Sequence, residues 1–406
     1  MEFKKASSRV FVAGLGAVSA IGNNVAECLS SLVNYKAGMD SITYLQTLHK
    51  GQLPVAEVKL SNSQLADITG LQPQISRTAL LSMMAAKEAL IDCGLINIAS
   101  LRTGFISANT VGGMDKTEQF YADFIVDNNS GDLQDVINHE CGKVTELVAD
   151  ALGINTFIST ISTACSSSAN AIFFAARLIK QGMVDIVVAG GVDALTKFTL
   201  NGFNSLMILD KEFCRPFDET RQGLNLGEGA GYVVLVSEKV SSLLQKKPYA
   251  ELTGYCNKND AYHQTASSPD GTGPYLAMKG ALALAALEPK DIDYINLHGT
   301  GTQNNDFAEA TAIGRLFADP YPAMSSTKSF TGHTLGASGG IEAVFSVLSI
   351  SQNIIYPNLR LQTPMREFSF SAETTLTEDK EIKHVLSNSF GFGGNCTSLI
   401  FSKIKA

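Results

Sequence analysis

Short apolar runs rich in valine and isoleucine alternate along this chain with longer alanine- and leucine-bearing stretches that close at glycine or polar residues. The runs predict strands over 9–13, 104–108, 186–189 and 231–236. The longer stretches predict helices over 76–93, closed by Gly94, and over 169–181. Residues 240–248 are polar and lysine-bearing and read as a surface connection. The alternation then starts again. Strands are predicted over 250–256, 293–297, 323–327, 384–388 and 397–402, and helices over 274–287, 307–317 and 339–350. Such alternation predicts an α/β protein with largely parallel sheets. Its resumption near residue 250 suggests two similar halves, 1–248 and 249–406, although no residue-level repeat links them.

Composition narrows the class. The 406 residues are 45% hydrophobic and 17% charged, so the chain can bury a large core and is not disordered. A net charge of −8 argues against nucleic acid as the main partner. No apolar run approaches the length of a membrane span. The start, Met1-Glu2-Phe3-Lys4-Lys5, is mildly basic, but the apolar run after it is too short and glycine-broken for a signal peptide. Cys28, Cys93, Cys141, Cys165, Cys214, Cys256 and Cys396 follow neither a CxxC nor a zinc-ligand spacing. This odd, scattered set predicts reduced thiols in the cytoplasm and no metal. Gly14-Leu15-Gly16 opens like a dinucleotide-binding loop, but Ser19 stands at the third glycine position, so no nicotinamide binding is expected.

Four segments could carry chemistry. In the first, a β-branched run from Phe157 ends in small residues around Cys165, and an apolar, helix-compatible stretch follows. That layout predicts a thiol at the first turn of a buried helix, where free N–H groups and the dipole favour the nucleophilic thiolate. In the second, His298 closes a predicted strand and leads into Gly299-Thr300-Gly301-Thr302, a placement suited to a crevice. The third, 325–340, combines Lys328 and His333 with five glycines or alanines that allow close backbone approach. The fourth, 388–395, is a glycine-flanked aromatic loop around Phe392, mobile enough to gate a pocket. Taken singly, each has a plainer reading. A buried cysteine is usually a small core residue, and a lysine is usually solvated. Their combination, in this order, changes that balance.

The combination resembles the β-ketoacyl-acyl-carrier-protein synthases, the condensing enzymes of fatty acid and polyketide assembly. Gly14-Leu15-Gly16, Arg215-Pro216-Phe217-Asp218, Leu226-Gly227-Glu228-Gly229-Ala230-Gly231 and Asp260-Ala261-Tyr262-His263 fit the family as well. The resemblance implies a thiolase-like five-layer α-β-α-β-α fold made of two related halves. The N-terminal half would carry the nucleophile, and the C-terminal half the histidine pair and the lysine. It implies that Cys165 accepts the acyl group from an acyl carrier protein, and that His298 and His333 assist decarboxylation of the malonyl carrier and hold its thioester oxygen. Lys328 would organise the histidines, with Glu342 as its structural partner. The backbone N–H groups of Cys165 and Phe392 would form the oxyanion hole, and Phe392 the gate. Thr300 and Thr302 would contact the phosphopantetheine arm, which arrives on the carrier so that no cofactor is resident. Val111 would limit the depth of the acyl pocket. The resemblance also implies a homodimer, or a heterodimer with a chain length factor. With no acyltransferase or carrier segment in 406 residues, a free-standing type II enzyme is expected.

Three departures from the family pattern stand out. Ser166-Ser167-Ser168 follows the nucleophile where fatty acid synthases more often carry Ala-Thr-Gly or Ala-Ser-Gly, and a triple serine looks more like polyketide ketosynthases. Gln303 stands where proline or leucine is common, and Asn395-Cys396 replaces a usual Thr-Asn. The first departure favours a polyene or aryl-polyene pathway over housekeeping elongation. A thiolase or initiating enzyme acting on CoA esters is the alternative class; Cys396 invites it, but the Cys-His-His set with Lys328 disfavours it. A non-catalytic partner subunit is a third reading, and the presence of Cys165 counts against it.

Overall fold

The computed structural model describes residues 9–95 and 101–405. The basic start at Met1–Lys5 therefore lies outside the described residues. Among the described residues ten strands occur in chain order: β1 (Val10–Ser19), β2 (Thr103–Ala108), β3 (Phe157–Ile161), β4 (Ile186–Asp193), β5 (Gly229–Ser237), β6 (Ala250–Asn259), β7 (Tyr294–Asn296), β8 (Ala323–Ser325), β9 (His384–Gly391) and β10 (Asn395–Ser402). Across the sheet they run β3-β2-β4-β5-β1-β6-β10-β9-β7-β8. The first five and the last five have the same internal order, with β6 to β10 standing for β1 to β5. Among the described residues the two sets are joined through a short β1–β6 ladder, pairing Phe11 with Glu251 and Val12 with Ala250. The duplication that the element pattern suggested is thus visible as topology.

The expectation of largely parallel sheets needs correction. β2 pairs in parallel with β3 and β4, and β7 with β8 and β9. The other five pairings, from β4–β5 through β10–β9, are antiparallel. The sequence misled because β4 and β5 are buried along their whole length. A strand covered on both faces reads as a continuous apolar run whichever way its neighbours point.

Layering follows from which helix faces are apolar. The helices Ser167–Lys180 and Ser338–Gln352 lie between the two halves of the sheet. The latter is buried on every side from Ser338 to Ile350, in keeping with a sequence of serine, glycine and apolar residues in which Glu342 is the one acid. Arg77–Cys93 and Cys141–Ala151 cover the outer face of the first half, and Thr272–Ala285 and Gln303–Leu316 that of the second. These make the five layers. Gly14 and Gly16, which opened like a nucleotide loop, lie inside β1 against the Arg77–Cys93 helix. A Cβ there would fall 2.2 Å from Ala89 O and 2.0 Å from Ala85 O. They serve helix–strand contact, which also extends β1 beyond its predicted end at 13.

Candidate active site

The segments singled out in the sequence leave the carboxyl ends of the parallel strands in both halves. β3 feeds the turn with Cys165, β2 the turn with Val111, β7 the turn with His298, β8 the single helical turn Lys328–Thr331, and β9 the Phe392–Gly394 turn. Strand ends of this kind open a crevice where loops from separated elements converge. One ligating atom from each of Cys165, His298 and His333 lies within 4.8 Å of the others. The two imidazoles meet edge to face, with centroids 5.5 Å apart and planes at 89°.

Hydrogen bonding fixes how the imidazoles present themselves. The Leu335 N–H donates to His333 Nδ1 at 3.0 Å, and Lys328 Nζ approaches His298 Nδ1 at 3.2 Å. An amide N–H and a lysine ammonium only donate, so each Nδ1 accepts and each neutral ring carries its proton on Nε2. Burial, with the nearby Lys328 charge, holds both histidines well below their usual pKa. Both are therefore neutral Nε2–H donors around neutral pH. Among the described residues Cys165, His298 and His333 are the one trio close enough to share a metal ion. Ligation through Nε2 would first require both protons to leave the positions these bonds impose.

Lys328 is 1% exposed. Nζ also donates to the His298 carbonyl at 2.6 Å and pairs with Glu342 Oε1. Burial outweighs the lysine charge at Glu342 and pushes its carboxyl up to about 7. Two further acids that the sequence reading missed hold the histidine turn. Glu309 accepts the N–H groups of His298 and Gly299 at 2.9 and 2.8 Å, and Asp306 accepts that of Thr300 at 2.9 Å. Their signal was present: two acids three residues apart in the first turns of the helix that follows a glycine-rich loop.

Cys165 departs from expectation in two ways. The helix begins at Ser167 with Ser166 as its cap position, so the cysteine precedes the first turn instead of lying in it. The preceding Ala164 adopts φ +53°, a sharp bend for a residue with a Cβ. Burial is the largest influence on the thiol and pushes it up to about 11, against the lowering effects of Lys328 and the N–H groups of Phe392 and Cys165. The resting group is a thiol, because desolvation exceeds the stabilisation that the helix end offers.

Two cavities meet at this sulfur. One, of about 420 Å³, is lined by Cys165, both histidines, Thr300, Thr302 and Phe392. The other, of about 360 Å³, includes Val111, Phe198, Gly202, Phe203 and Leu335 and also reaches Cys165 and Phe392. Phe203 and Phe392 stack between them at 5.8 Å and 18°. The Thr300 and Thr302 hydroxyls are 2.9 Å apart on the wall of the first cavity.

Comparison with known proteins agrees with this geometry. Residues 7–240 match the family described as "Beta-ketoacyl synthase, N-terminal domain", and residues 249–362 match "Beta-ketoacyl synthase, C-terminal domain". The chain belongs to the β-ketoacyl synthase family. It is 34% identical to the 3-oxoacyl-[acyl-carrier-protein] synthase 2 of Staphylococcus aureus strain COL, over 98% of this chain and 99% of the relative. The enzyme of the same name from Coxiella burnetii is also 34% identical, with the same coverage. Among solved structures, a chain of the ishigamide ketosynthase/chain length factor superposes with TM-score 0.93 at 29% identity, covering 98% of this chain and all of the other. The ketosynthase ApeO in complex with its chain length factor ApeC, from Xenorhabdus doucetiae, gives TM-score 0.84 at 30% identity and 98% coverage of both. The fold expected from the resemblance is therefore that of this synthase's relatives.

Proposed function

We propose that this synthase catalyses decarboxylative condensation of an acyl thioester with malonyl-acyl carrier protein, giving 3-oxoacyl carrier protein and CO₂. The observation that carries this reading is the convergence of one thiol and two Nε2–H donors where two cavities meet. Cys165 Sγ attacks the acyl thioester, and its proton departs with the leaving pantetheine thiol. The N–H groups of Cys165 and Phe392 hold the tetrahedral oxyanion, and the acyl chain enters the cavity bounded by Val111, Phe198 and Phe203. The malonyl thioester then enters past Thr300 and Thr302. As its C–C bond breaks and CO₂ leaves, the electron pair forms an enolate whose oxygen takes the two Nε2–H bonds from His298 and His333. The enolate carbon attacks the Cys165 thioester. Sγ leaves as thiolate and takes up a proton. Lys328, held by Glu342, keeps His298 in the donating tautomer. On this reading the 1–248 half supplies the nucleophile and the 249–406 half the histidines and lysine.

Within this activity we place the chain in a type II polyene pathway, in the cytoplasm, paired with a chain length factor. The triple serine after Cys165 and the structural likeness to two ketosynthases solved with chain length factors support this. All seven cysteines are free, and among the described residues no helix is long and apolar enough to cross a membrane. The test supplies malonyl carrier protein with saturated, polyunsaturated or aryl acyl primers and reads enzyme and products by mass spectrometry. An acyl adduct on Cys165 and extension of polyunsaturated primers are expected. An unmodified Cys165 overturns the condensing role, and turnover of saturated chains alone overturns the pathway.

A further inference from the structure

Two of the departures from the family pattern meet in space. Ser166 Oγ, whose one proton is shared with the Thr163 carbonyl oxygen at 2.7 Å, lies 2.7 Å from Asn395 Oδ1 across 229 residues of sequence. The same oxygen accepts from Asn170 Nδ2 at 3.0 Å and from Asn257 Nδ2 at 2.7 Å. Asn170 extends the network, donating to Thr163 Oγ1 at 2.8 Å and accepting from Thr397 Oγ1 at 2.6 Å. One amide oxygen thus lies within hydrogen-bond distance of the nucleophile turn, the helix after it and β6. Ser166 and Thr397 are fully buried and Asn170 is 6% exposed. Asn395, Asn257 and Thr163 are half-buried, and bonds strengthen on the buried side of such a network, where water does not compete.

The position of this network gives it a role. Thr163 and Ser166 flank Cys165, and Asn395 directly follows the Phe392–Gly394 turn. The network therefore spans the two segments that bear the N–H groups directed at Sγ. The contact between those segments is close. A Cβ on Gly391 would lie 3.0 Å from Thr163 O and 3.1 Å from Cys165 N. Neither Ser166 nor Asn395 lines either cavity, so both act through their neighbours. We propose that Asn395 is a positioning residue that, through Ser166, fixes the separation of the Cys165 and Phe392 N–H groups and holds the Phe392 turn closed. This rests on the acyl-loading role proposed above for Cys165.

The test uses the whole enzyme as Ser166→Ala, Asn395→Ala and the double variant. Three quantities are read: single-turnover acylation of Cys165 by intact mass, KM for the acyl carrier, and decarboxylation of malonyl carrier protein, which needs the histidines and not the oxyanion hole. Each single variant is expected to slow acylation by about tenfold or more, toward the hundredfold that a 1 Å misplacement costs. KM and decarboxylation should stay within about twofold of wild type. The double variant should be no slower than the worse single, because both break one link. Should Asn395→Ala fail to fold, Ser166→Ala, which deletes one oxygen, carries the test. Wild-type acylation by Ser166→Ala overturns the proposal, as does an equal fall of acylation and decarboxylation. A wild-type enzyme that never acylates removes the role of Cys165 instead, and this proposal with it.

Discussion

Lys328 and His298 are joined twice: Nζ reaches the imidazole Nδ1 at 3.2 Å and the carbonyl oxygen of the same residue at 2.6 Å. One ammonium thus sets both the ring tautomer and the path of the backbone that carries it, while the buried Glu342 carboxyl pairs with it. The consequences are testable by deletion. Removing one member of a buried ion pair costs about 3–5 kcal/mol. For Lys328→Ala the lower end is expected, because the Glu342 carboxyl, already raised to about 7, takes up a proton when its partner is lost. Urea unfolding checks this. The Lys328→Ala/Glu342→Ala double variant should be less destabilised than the two singles summed, and strict additivity would deny that they act as a pair.

In the proposed mechanism the two histidines make the same kind of bond to the same developing charge. His298→Ala and His333→Ala should each lower malonyl decarboxylation by about 10²–10³-fold, the usual loss for one donor to an oxyanion. Acyl loading of Cys165 should fall less. Cys165→Ala should abolish condensation while retaining decarboxylation. Separate assays of CO₂ release and enzyme acylation distinguish these outcomes, and a histidine variant that condenses at the wild-type rate contradicts the assignment.

The buried thiol gives a pH signature. With its pKa raised to about 11, Cys165 has a thiolate fraction that climbs about tenfold per pH unit through the neutral and mildly alkaline range. Alkylation of Cys165 by iodoacetamide should rise with unit slope from pH 7 to pH 9. A plateau already reached by pH 8 would mean that the helix end and Lys328 outweigh desolvation after all.

The second cavity offers a steric test. Gly202 lines it, and a Cβ there meets nothing within 4 Å. Gly202→Leu should fold normally and fill space that the acyl chain would occupy. Val111→Phe should do the same from the β2 side. Mass spectrometry of products should show shorter acyl groups for both, with condensation of short primers retained. Unchanged product length in both variants would place the acyl chain elsewhere.

Much of the candidate site is legible in the sequence. Cys165, His298, Lys328, His333 and Phe392 each sit beside glycines or small residues at strand ends, a pattern that survives in one dimension because the turns themselves demand those residues. Asp306 and Glu309 were harder to see, since a buried acid and a solvated acid on a helix look alike until the N–H groups they accept are located. Phe203 was hidden for a related reason. An aromatic residue in a nine-residue helix reads as core, and only its stacking on Phe392 places it between two cavities.

The sequence by itself determined the alternation of elements, the restart near residue 250 and the identity of the side chains that converge at the candidate site. Local propensities and turn requirements act over a few residues and are written there directly. Tertiary structure decided the antiparallel middle of the sheet, the protonated state of the Cys165 sulfur, the tautomers of both imidazoles and the meeting of Ser166 with Asn395. Each of these depends on which groups lose water together and which donors face them; the His333 tautomer needs only Leu335 two residues on, but Ser166 and Asn395, 229 positions apart, acquire their relation only when the layers pack.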